Sequence, residues 1–198
     1  MKKIIAMLLA LVLVMGLAAC GATEETKTPE NNNGTTQQDE KPESALAALE
    51  KIWGEFTDDE KANFPVMGGC FPEPVDGAPG NFSLEDAETV TAMLLVPAEE
   101  ISKIDAAASM VNPMLSNNFT CAVFQVTGDA AAFAETMHTA VAGNQWMCGQ
   151  PDKLIIAVIG GEYVLMVYGI NDAMTLFEGK LSTAFPGADV KYNEAITG

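Results

Sequence analysis

The chain has 198 residues, 27 of them acidic and 10 basic, for a formal charge of −17. All ten lysine-plus-arginine positions are lysine, so there is no planar guanidinium fork to grip phosphate or carboxylate. A surface this acidic repels nucleic acid and anionic lipid, which counts against nucleotide, nucleic-acid and anionic-substrate functions; solubility is the plainest use of the charge.

Lys2 and Lys3 precede an apolar run from Ile4 to Leu17. The run is shorter than the roughly 20 residues a spanning helix needs, but it suits the core of an export signal. It ends in Leu17-Ala18-Ala19-Cys20-Gly21, small residues followed directly by cysteine, which resembles the lipobox of bacterial lipoproteins. The resemblance implies cleavage of residues 1–19, a diacylglycerol on Cys20 and an extracytoplasmic, membrane-held chain; an ordinary signal peptide or a membrane anchor is the other reading. Two lipid chains, at about 0.8 kcal/mol per buried methylene, suffice for stable anchoring. No other cofactor is expected. Loss of Lys2 and Lys3 leaves eight lysines against 27 acids, a formal charge of −19.

Residues 20–43 are rich in Thr, Glu, Asn, Gln and Pro and have no aromatic residue. Such a stretch buries too little surface to offset its ordering entropy and is expected to be a disordered tether, reaching on the order of 25 Å. Residues 44–198 are then one domain.

In that domain Ser44 is placed to cap a helix with Leu46, Leu49, Ile52, Trp53 and Phe56 at helical spacing. Thr57-Asp58-Asp59-Glu60 has the form of a capping box. Val66 to Phe82, broken by four glycines and three prolines, predicts a long irregular loop. Ser83 to Asp86 opens a further helix running towards Leu95, and Pro97, Glu99 and Glu100 suit the first turn of another. Ala106 to Asn112 fits a helix end or a strand.

Thr120 to Thr127 reads as a strand, followed by an Asp129-capped helix with Phe133, Met137 and Val141 on one face. Leu154–Ile159 and Tyr163–Tyr168 form a hairpin at Gly160-Gly161. Asn171 is expected to cap a last helix through Met174, Phe177, Leu181 and Phe185, stopped by Pro186-Gly187. Both hairpin strands are apolar on both faces, so helices must cover both, the N-terminal ones supplying the second layer. The fold class is α+β, an antiparallel or mixed sheet of about four strands carrying helices. Phe133 matches Phe177 and Met137 matches Leu181, each after a strand and an Asx residue; a duplicated strand–helix unit and convergence on the same spacing both account for this.

With Val111-Asn112-Pro113-Met114 ahead of a strand, the Asp129 helix and a hairpin ending at Tyr168-Gly169, residues 83–192 resemble a domain of unknown function of small lipoproteins from Gram-positive-type bacteria. The resemblance implies location and fold class and brings no catalytic residue.

Cys70, Cys121 and Cys148 remain after Cys20, and no CxxC motif exists. Cys70 and Cys148 have loop contexts and are the candidate disulfide; three reduced thiols is the alternative. Cys121 reads as a buried apolar residue. His138 is the sole histidine, placed on a helix with no nucleophile motif nearby, so neither a Ser–His or Cys–His mechanism nor a metal site is expected. The acidic clusters lie at helix starts, where they favour the dipole. Met67, Phe71, Trp146 and Met147 place apolar bulk in connections and form the candidate partner patch, with packing beneath the sheet as the other reading. Two functions follow. The first is a non-catalytic binding or accessory module that meets an envelope protein, a peptide or a small apolar ligand. The second is an envelope-acting hydrolase with two acids facing each other across a cleft.

Overall fold

The computed structural model describes residues 41–197. Cys20, the expected signal peptide and all but the last three residues of the expected tether lie outside them. Those last residues enter beside the hairpin turn, where Lys41 Nζ pairs with Glu162 Oε2 at 2.8 Å.

The first helix, α1 (Ala45–Gly54), is capped by the Ser44 hydroxyl, and α2 (Asp58–Asn63) starts with the complete Thr57–Glu60 capping box. Three short strands follow: β1 (Met67–Gly68), β2 (Val75–Asp76) and β3 (Gly80–Phe82). They correct the expectation of an irregular loop between Val66 and Phe82. Helix α3 (Ala87–Leu94) is capped by the Asp86 carboxylate and closed by Leu95 in the left-handed region, at φ 57°. The segment Ala98–Lys103 is a 3-10 turn.

The remaining elements are β4 (Ile104–Val111), β5 (Phe119–Val126), α4 (Ala130–Ala142), β6 (Lys153–Ile159), β7 (Tyr163–Gly169), α5 (Asn171–Ala184) and β8 (Asp189–Ala195). Asn171 is not the cap of α5. Ile170 holds that position without a side-chain bond, and the Asp152 carboxylate, from the loop before β6, accepts the Asn171 N–H at 2.8 Å.

The fold is α+β with one antiparallel sheet of eight strands, in the order β2-β1-β4-β5-β7-β6-β8, and with β3 also on β4. The expected four strands were too few. The three short strands and β8 lack an apolar run to announce them: β8 is exposed along nearly its whole length. It is held by its ladder to β6 and by side-chain ties from both layers. On one side His138 stacks on Tyr192 at 3.9 Å and meets Glu194 Oε1 at 2.7 Å; on the other Asn193 donates to Glu178 Oε1.

The pleat sorts side chains between two cores. Phe119, Cys121 and Val123 of β5 join Leu165 and Val167 of β7 beneath α1 and α5, where Leu49, Ile52, Phe177 and Leu181 meet them. Ala122, Phe124 and Val126 join Val164, Met166 and Tyr168 on the opposite face, covered by Val90 and Leu94 of α3 and Phe133 and Met137 of α4. The N-terminal helix thus covers one face, as expected, while α3 helps cover the other. Of the two similar strand–helix units, β5–α4 and β7–α5, one places its helix on each face.

Candidate functional site

The site is built from an edge of β4 that two short strands share. Strand β1 pairs with Val111 and Met110, and β3 continues along the same edge at Ser109, Ala108 and Ala107. The two can abut only because Gly68 has no side chain. A Cβ there would lie 2.1 Å from the backbone nitrogen of Gly80, and Gly69 has φ +69°. The close approach throws residues 70–74 outward over α3.

Between this loop and α3 lies a cleft of about 470 Å³, lined by Met67, Cys70, Phe71, Pro72, Pro74 and Met93, with Ser83, Glu85, Asp86 and Thr89 on the helix side. Phe71 is 86% exposed and stands beside the apolar lining of this cleft, so the two together form an apolar patch. Met93 also lines a neighbouring cleft of about 300 Å³ with Leu95, Val111, Trp146 and Tyr168. Trp146 meets Tyr168 edge-on at 5.0 Å, and its indole Nε1 is buried without a hydrogen-bond partner.

Of the expected patch residues, Met67 and Phe71 therefore share one cleft, and Trp146 stands in the next across Met93. Met147 lines neither. It is 79% exposed, and the Asn117 side chain donates to its carbonyl at 2.8 Å. Met93 was missed. Its signal was its place beside the Val90–Leu94 stripe, one position off the buried face.

The carboxylates of the larger cleft, Glu85 and Asp86, come from one short segment. Asp86 accepts from the Glu88 N–H and the Thr89 hydroxyl, and the Thr89 bond foremost holds its carboxyl below the ordinary range. Asp86 is thus a cap in its ionised form. A third cleft, about 290 Å³, opens on the α1–α5 face between Phe64, Phe119, Ile170 and Leu176, with Asp172 at its rim. Among the described residues no three His, Cys, Asp or Glu side chains are grouped to hold a metal, and no helix is long and apolar enough to cross a membrane.

Cys70, Cys121 and Cys148 are each free thiols in this structure. Cys70 packs against the core below the larger cleft, whereas Cys148 is exposed. Burial pushes the Cys121 thiol well above its usual pKa, leaving it neutral and inert.

No family model, curated protein or solved structure matches the chain.

Proposed function

We propose that this chain is a lipid-anchored extracytoplasmic lipoprotein whose domain is a non-catalytic binding or accessory module, with the Phe71–Met93 cleft as its contact surface. One observation carries the binding part: Phe71 stands 86% exposed on the lip of an apolar cleft, although the domain keeps two well-filled cores for its other aromatic rings. A ring that folding leaves in water still has its apolar surface to bury, and a partner that covers it gains that burial as binding energy.

The anchoring part rests on the sequence, Lys2-Lys3, an apolar run and Leu17-Ala18-Ala19-Cys20. The two strand–helix units, with Phe133 answering Phe177 and Met137 answering Leu181, fit a duplication in which the copies serve opposite faces. The alternative, an envelope-acting hydrolase with a carboxylate pair, requires acids facing each other across a cleft. Glu85 and Asp86 instead lie next to each other in the chain, and Asp86 is already engaged in capping.

Growth with a labelled fatty acid tests the anchor. The wild-type chain takes up label and Cys20→Ala does not; equal label in both removes this reading. Chemical crosslinking on intact membranes tests the surface. Wild type gives discrete adducts that Phe71→Ser loses, and unchanged adducts would remove the cleft from the account.

A further inference from the structure

Met93 is a shared wall of two neighbouring clefts, together termed the groove, about 470 Å³ on the Phe71 side and about 300 Å³ on the Trp146 side. A ligand that fills both must be elongated. Its walls are methionine, phenylalanine and proline side chains, and methionine adapts its shape to whatever bulky apolar group is laid against it.

The charge around this groove has one sign. From Ala62 to Ser102 the chain carries seven carboxylates and no lysine, arginine or histidine. Glu85 and Asp86 line the groove, and Glu73 sits between two of its prolines. The lysines of the described residues are all engaged by other parts of the chain. Lys41, Lys103, Lys153, Lys180 and Lys191 are in ion pairs, and Lys51 and Lys61 lie over the rings of Phe185 and Trp53. Among the described residues no lysine pairs with Glu73, Glu85 or Asp86.

We propose that the groove takes an extended peptide segment in which lysine or arginine flanks bulky apolar side chains. This deepens the binding reading above and rests on it. The apolar side chains fill the two clefts, and the cations meet Glu73, Glu85 and Asp86. Anionic headgroups are repelled by the rim, and a second copy of this chain brings the same excess of acid. Both fit worse than a basic segment.

The test uses the full chain, folded as judged by circular dichroism, titrated calorimetrically with the peptide Lys-Phe-Lys-Leu-Lys-Phe-Lys and with its Glu and Ser counterparts. The lysine peptide binds saturably and more weakly as salt is raised; the glutamate peptide does not bind. Phe71→Ser weakens binding about tenfold, as expected for an apolar contact of one large ring. Met93→Ser, also at a solvent-facing position, does the same, and Glu85→Gln weakens it about two- to fivefold. The peptide shifts tryptophan emission in wild type but not in Trp146→Phe.

Equal binding of all three peptides, or indifference to both Phe71→Ser and Met93→Ser, overturns the proposal. So does phenylalanine amide binding as tightly as the peptide, which makes the occupant a small cation. If the peptides fail while Phe71→Ser still removes crosslinks on membranes, the surface stands and the ligand class is wrong. If those crosslinks persist as well, the binding reading fails with it.

Discussion

At the scale of single residues, the three cysteines end in three different environments. Cys121 points from β5 into the core under α1 and α5, Cys70 is half-buried below the groove, and Cys148 is exposed in a left-handed turn at φ 64°. Reactivity follows thiolate fraction and access. A maleimide therefore labels Cys148 first and Cys70 more slowly, and reaches Cys121 only after denaturant is added. Peptide mapping of the label gives the order. Labelling of Cys121 in the native chain, or protection of Cys70 and Cys148 until a reductant is present, contradicts these assignments. The sequence separated Cys121 from the other two because it sits inside an apolar strand run. Met93 was harder to find, since a helix residue one step off the buried stripe looks the same whether it lies in bulk water or on the wall of a cleft.

At the scale of elements, the local signals that were read correctly are those whose chemistry is complete within four residues. Ser44 accepts from Ala47, Thr57 and Glu60 cap each other, and Asp129 accepts from Ala131 and Ala132. The start of α5 was misread because its capping group comes from 19 residues away, where Asp152 reaches the Asn171 N–H. Asp152→Ala should then cost about 1 kcal/mol, as loss of an N-cap does, whereas Asn171→Ala should cost little. Urea denaturation of the two variants compares them directly. A larger loss from Asn171→Ala would return the capping role to that residue. The short strands β1 to β3 escaped notice for a related reason. β1 and β3 pair with β4, which is remote in sequence, β2 pairs only with β1, and Gly68 reads as a breaker until the close approach of β3 is seen.

At the scale of the whole molecule, hairpin strands apolar on both faces made the need for helices on each side of the sheet legible, and the long apolar strands β5, β6 and β7 sit in its centre. What joins the layers at the rim is ionic. Glu60 is held below its ordinary value chiefly by Lys180, Glu162 by Lys41 and Glu178 by Lys153. Lys180–Glu60 ties α5 to α2, and Lys153–Glu178 ties β6 to α5. A depressed folded-state value adds stability that is present above the unfolded glutamate value of 4.5 and disappears as pH falls through the folded values. The melting temperature should therefore fall on acidification below pH 4.5, and Lys153→Met should flatten that fall. A melting temperature unchanged across this window would show that the pairs add nothing.

The account as a whole stands on residues 70–74 facing a partner rather than water. Replacing Phe71 with the photo-crosslinker p-benzoylphenylalanine, in cells that express the full chain, reads this directly, with the same substitution at exposed Glu50 on α1 as the control. Illumination is expected to give discrete protein adducts from position 71 and none from position 50. Matching adduct patterns at the two positions, or no adduct at position 71, would contradict it.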